Sequence, residues 1–361
     1  MQHDGSSNWE ERSKRISVLR FPLIVGVVFI HAYVVGESAA PAVSQDVAAW
    51  ISRFVRNFIS QGIARTAVPI FFLIAGYLFY INFRLTLAVY SSKIRSRMGT
   101  LFIPFLFWNL FAYLFFAAAQ SLPQTSGYFT GSVAKISELG LEGGLAAILG
   151  IGREPISYQF WFVRDLMVAA VLSPLLFLAL RLIPKITLVV FLLLWVNFNA
   201  SASAEGMFFF VVGAAAAVHD VDLFVLDRYG KVFSICYLPL AVVDAMLWNA
   251  NFAYLHMISL SFGVVAVLYA SRALAAREAV AGVLVRLAGS SFFVFAAHEP
   301  LLTVCRKIVV KVLPVPGPIT GLVYYVAIPA LIIFALVRLC GVLRRSAPQF
   351  ARVVGAGAGG G

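Results

Sequence analysis

Ten runs of apolar residues, set apart by short polar connections, organise the chain: 17–36, 62–81, 101–120, 158–180, 186–200, 206–219, 232–249, 254–273, 288–310 and 318–341. Most approach the roughly 20 apolar residues that carry a helix across a bilayer. A backbone in hydrocarbon must satisfy its own hydrogen bonds, so each run predicts a helix. The strict alternation of a membrane β-barrel strand is absent. The fifth and sixth runs are short, which suits a tilted or re-entrant segment. The connections 37–61 and 121–157 are the longest on one side. The second predicts a water-facing cap with one short amphipathic helix, its length limited by the glycine pair at 143–144.

Composition sharpens this picture. Hydrophobic residues make up 61% of the 361 positions and charged residues 12%. Soluble domains carry about 25% charged residues, so this chain has too little polar surface to face water all round. The fold class expected is an all-α, polytopic membrane helix bundle of about ten spans. No long polar linker divides it. The expected parts are a cytoplasmic segment 1–16, a transmembrane domain 17–341 and a cytoplasmic, disordered tail 342–361 ending in AGAGGG. The first run is too long for the core of a cleavable signal. The expected location is the plasma (inner) membrane, crossed many times.

The net charge of +12 changes the reading of topology more than that of partners. Of the 28 Lys and Arg, nineteen fall on the side that holds both termini, which predicts both termini in the cytoplasm. Arg306, Lys307 and Lys311 cluster on the opposite side. Basic and aromatic residues do not interleave as a nucleic-acid surface requires, so the lipid bilayer, not nucleic acid, is the expected partner. The cysteines, Cys236, Cys305 and Cys340, form no CxxC. Neither a disulfide framework nor a metal site is expected.

Candidate chemistry begins in the first run. Arg20 and His31 are eleven residues apart, within about 20° of three full helical turns, so they share one face about 16 Å apart. Arg20 as a snorkelling interfacial residue and His31 as a helix-packing residue form one reading. An anion anchor below a proton-transfer or nucleophilic imidazole is the other, since ionisable groups inside spans mark function. In the second run, Arg65 precedes Pro69 and Gly76. The fourth opens YQFWFVRDL, where Tyr158 and Trp161 suit an aromatic belt. There the adjacent Arg164 and Asp165 point about 100° apart and each calls for a partner elsewhere. The ninth holds His298 and Glu299 in its outer part.

Together these segments resemble acyltransferase family 3, integral membrane enzymes that modify glycans. The resemblance rests on Arg20, ten residues, then His31; on Val68, Pro69, Phe71, Phe72 and Gly76 after Arg65, with Ala75 where serine is usual; on WFVRDL; and on FVFAAHEPLL. It implies transfer of an acyl group, most often acetyl, from coenzyme A in the cytoplasm to a hydroxyl of a glycan or lipid-linked sugar. It implies an essential His31, acting as base or as a covalent acyl carrier. Within that frame Arg20, Arg95 and Arg97 are candidates for the phosphates of acetyl-CoA. Arg65 and Arg164 are candidates for an oxyanion. Trp161, Asp165, His298 and Glu299 are candidates for substrate contact. The chain ends about twenty residues after the last run, so no appended extracytoplasmic hydrolase-like domain is expected. A secondary transporter of a sugar or organic anion is the alternative, although no internal repeat of the Arg20–His31 pattern is present. An inactive structural relative is a third reading.

Overall fold

A computed structural model describes residues 3–33, 47–126, 135–248, 252–312 and 317–357. Sixteen α-helices and no strand occur among them: α1 (His3–His31), α2 (Val47–Asn57), α3 (Ala67–Tyr80), α4 (Leu87–Arg97), α5 (Ile103–Ser121), α6 (Gly140–Leu149), α7 (Trp161–Val171), α8 (Ser173–Leu182), α9 (Pro184–Asn197), α10 (Ala202–Val218), α11 (Gly230–Met246), α12 (Ala253–Ala276), α13 (Glu278–Ala288), α14 (Ser291–Val312), α15 (Pro318–Ser346) and α16 (Pro348–Val353).

Every apolar window falls on a helix within the described residues, but the windows are not equivalent as crossings. Five unbroken helical stretches are long and apolar enough to span: Val47–Tyr80, Leu87–Ser121, Val225–Met246, Ala253–Ala276 and Pro318–Ser346. Two bent pairs raise the number to seven: Tyr158–Val171 with Ser173–Leu182, turned by 65°, and Glu278–Ala288 with Ser291–Glu299, turned by 54°. Pro174 at the start of α8 marks the first bend, since proline cannot continue the preceding hydrogen-bond ladder. The first, fifth and sixth windows lie on α1, α9 and α10. The helix α1 carries Arg12, Lys14, Arg15 and Arg20, and α9 and α10 are 14 and 17 residues long. The connection 37–61 is not all loop: from Val47 the chain runs helically, through a π turn and a 3-10 turn, into α3. In the connection 121–157, α6 is the short helix expected, ten residues long.

Close approach of α3 and α10 fixes the centre of the bundle. A Cβ on Gly76 would lie 2.1 Å from the carbonyl oxygen of Phe210, and one on Gly213 would lie 2.0 Å from that of Leu73. Each glycine therefore admits the other helix's backbone, as small residues do where membrane helices meet. Helix α1 sits against α3, α12, α13 and α14. Its cations are not all interfacial. Arg15 is buried, grips Asp227 with two bonds of 2.6 and 3.0 Å, donates to Ser271 Oγ and the Leu268 carbonyl, and lies 3.6 Å above the Phe224 ring. Arg12 pairs with Asp222 at 3.0 Å. These contacts clamp the first half of α1 to the turn before α11.

The segment 342–357 departs from the expected loose tail. α15 runs to Ser346, α16 follows, and Val354 and Ala356 are buried. Arg344 holds this end by donating to the carbonyls of Ala356, Gly289 and Gly357, while Trp108 Nε1 donates to that of Val354. The order comes from one guanidinium capturing three backbone carbonyls, a cause that glycine-rich composition does not reveal.

Candidate active site

The last turn of α1 carries His31 to the middle of α14, where His298 is fully buried. His31 Nδ1 and His298 Nε2 are 3.0 Å apart. His298 Nδ1 faces the carbonyls of Phe295 at 2.6 Å and Val294 at 3.2 Å. A carbonyl only accepts, so Nδ1 of His298 holds the proton and Nε2 of the neutral ring is an acceptor. His31 Nδ1–H then donates to it, which leaves the lone pair of His31 on Nε2. The partner ring, together with the Val27 carbonyl that His31 also meets, thus holds the tautomer of His31, as a carboxylate does in a hydrolase triad.

Tyr158 closes one side of the imidazole, its ring 5.2 Å away edge to face. Its hydroxyl donates to Glu299 at 2.7 Å, and Glu299 also accepts from Thr303. His298 and Glu299, adjacent on α14, therefore serve separate arms: one touches His31, the other anchors Tyr158.

A cavity of about 300 Å³ joins His31 to Arg20, the two ends of one face of α1. Between them Ile24, Val27 and Ile30 form its floor, and Val68, Phe71 and Ile74 of α3 a wall. Arg65 and Trp161 line it too. The Nε of Arg65 is buried and has no hydrogen-bond partner among the described residues. Gly289, Gly355 and Gly357 complete the wall, so the C-terminal segment is part of it.

The other expected site residues lie elsewhere. Arg164 and Asp165 do not seek separate partners: Arg164 curls back to Asp165 at 2.9 Å and donates to the carbonyls of Gly150 and Arg153. Its long side chain reaches across the 100° between the two Cα–Cβ bonds. Arg164 holds the loop after α6, Asp165 holds Arg164, and neither is in the cavity wall. Arg95 and Arg97 sit at the end of α4, outside the cavity wall, with Arg97 5.8 Å from the Phe79 ring centre. Sequence reasoning read Tyr158 as a belt residue and passed over Gln159, which lines the cavity and donates to the Ala296 carbonyl. No metal-capable cluster occurs among the described residues.

The all-helical membrane bundle thus sets a histidine and two arginines, Arg20 and Arg65, on one largely apolar cavity. Residues 13–338 match the acyltransferase 3 family, described as an acyltransferase domain, and the chain belongs to that family. Among curated proteins it is similar to the succinoglycan biosynthesis protein ExoH of Rhizobium meliloti (strain 1021), at 28% identity over 361 residues, covering 95% of this chain and 91% of the relative. No solved structure matches it.

Proposed function

We propose that this protein transfers an acyl group, acetyl in the first instance, from acyl-CoA to a hydroxyl of a cell-envelope glycan or lipid-linked sugar at the plasma membrane. The observation that carries the reading is the single cavity bounded by Arg20 at one end and His31 at the other. Family membership supports acyl transfer. The printed role of the relative, in succinoglycan biosynthesis, supports a glycan acceptor.

In this reading the acyl thioester enters from the Arg20 end, which faces the cytoplasm. The guanidinium of Arg20 holds a phosphate of the donor, and the narrow apolar channel takes the uncharged pantetheine arm. The acceptor hydroxyl attacks the thioester carbon while Nε2 of His31 removes its proton. The C–S bond breaks, and the coenzyme A thiolate leaves and takes the proton back from His31. Arg65, with its unclaimed Nε–H, faces the oxyanion formed in between. Alternatively Nε2 attacks first and carries the acyl group to the acceptor. His298 holds the His31 tautomer in both routes. Arg164 acts on the loop it holds, and Arg95 and Arg97 are left outside the donor contact.

Incorporation of labelled acetyl from acetyl-CoA into envelope glycans tests the proposal. His31→Ala is expected to abolish it and Arg20→Ala to raise the donor KM. Undiminished transfer by His31→Ala overturns the assignment.

A further inference from the structure

Three side chains in the wall of the His31 cavity each carry a buried polar atom with no hydrogen-bond partner among the described residues: Arg65 Nε, Gln159 Oε1 and Ser291 Oγ. Acyl chemistry at His31 uses the first and leaves the other two without a role. Gln159 is 1% exposed and Ser291 6%. An unpaired buried polar atom is costly, so two of them on one cavity call for a ligand that pairs them.

The packing of α14 sets where along the cavity each one stands. Ala281, in the helix before α14, packs with Val18 beside Arg20, while His298 of α14 meets His31. α14 therefore runs along the cavity from the Arg20 end to the His31 end. Ser291 opens it, seven residues and about 10 Å before His298. Gln159 stands at the His31 end: its Nε2 donates to the Ala296 carbonyl at 3.3 Å, and its neighbour Tyr158 lies edge-on to the His31 ring. That bond also fixes the amide's orientation. Turned over, it would set its own oxygen against a carbonyl, so Oε1 is left as a pure acceptor. Ala296 is five residues after Ser291, so the two side chains are staged about 7.5 Å apart along the axis of α14.

This spacing selects the ligand. The rest of the wall is mostly apolar, and no carboxylate lines it among the described residues. A lipid tail would leave Gln159 and Ser291 unpaired, and a free sugar would leave most of its own hydroxyls so. A chain that is apolar apart from two amides satisfies both sides. The pantetheine arm of an acyl-CoA is such a chain. The N–H of its inner amide, two methylenes from the sulfur, is about 7 Å from the carbonyl oxygen of its outer amide when extended. Gln159 Oε1 accepts an N–H, and the Ser291 hydroxyl donates to a carbonyl. We propose that Gln159 and Ser291 are a two-point gauge for the donor arm. Gln159 takes the inner amide N–H and Ser291 the outer amide carbonyl, which sets the thioester beside His31.

This inference rests on the acyl-CoA donor of the proposed function, and its test separates the two. Acetyl-CoA and two analogues are titrated calorimetrically into the full-length chain in nanodiscs. One analogue has an ester oxygen in place of the inner amide N–H; the other has one more methylene between the amides. The wild type is expected to bind each at least tenfold more weakly than acetyl-CoA. Gln159→Leu, close in size, is expected to weaken acetyl-CoA about tenfold and to bind it and the ester analogue within twofold of each other. Ser291→Ala is expected to lose the discrimination against the longer arm. The gauge is overturned if the wild type binds both analogues like acetyl-CoA, a result that needs no variant to fold, or if the variants discriminate as the wild type does. In either case acetyl-CoA binding leaves the donor reading standing. Failure of the wild type to bind acetyl-CoA overturns both.

Discussion

His31 and His298, 267 residues apart in sequence, meet ring to ring, 3.0 Å between Nδ1 of the first and Nε2 of the second. Replacing His298 by Ala removes one of the two acceptors that hold the His31 ring, the other being the Val27 carbonyl. Transfer is expected to fall by about 10²-fold, the low end of what acid–base groups supply. Acetyl-CoA binding is expected to stay within twofold, because His298 is not in the cavity wall. Steady-state kinetics with a separate binding titration checks both halves. Equal loss of binding and rate would make His298 a packing residue only.

The crossing of α3 and α10 predicts a large effect from one methyl group. Gly76→Ala and Gly213→Ala each place a Cβ about 2 Å from a carbonyl oxygen of the facing helix. Each is expected to destabilise by about 1–3 kcal/mol as the helices are forced apart. One separation relieves both clashes, so the double variant is expected to cost less than the sum. Thermal unfolding in detergent gives the comparison.

Buried Arg15 and half-buried Asp227 form an ion pair whose members cannot be removed singly at low cost. Arg15→Ala leaves the Asp227 carboxylate without its guanidinium, at an expected cost of about 1–3 kcal/mol. Arg15→Met with Asp227→Leu, which removes both charges, is expected to restore much of that. Membrane insertion and unfolding of the three variants test it.

Arg344 predicts a link between the C-terminal segment and the donor. It holds three carbonyls, two of them from Gly289 and Gly357 in the cavity wall. Arg344→Ala is expected to loosen that wall and to raise the acetyl-CoA KM about tenfold, equivalent to about 1.4 kcal/mol. A KM unchanged from wild type would show that the wall stands without it.

The apolar helices were legible because run length states them, and the Arg20–His31 face because helical periodicity does, both of which a sequence carries directly. The site's other half was not. His298 was visible as an ionisable residue in a span, but its pairing with His31 depends on how α14 lies against α1. Arg164 and Asp165 misled because Cβ directions describe short side chains better than a long guanidinium that folds back on its neighbour. Asp244 and His256 stand on different helices with no shared spacing, so only the packing of α11 against α12 brings them into their 2.7 Å contact. The count of crossings blurred where polar residues have partners inside the bundle, as Arg15 does in α1.

The involvement of Gly355 and Gly357 in the cavity wall bears on how the protein is handled at the bench. An affinity tag or fluorescent fusion joined soon after Gly357 would start beside that wall, where it can obstruct the cavity and mimic an inactive enzyme. Purification handles belong away from this segment, and a null result from a fusion placed here should be repeated with the tag cleaved.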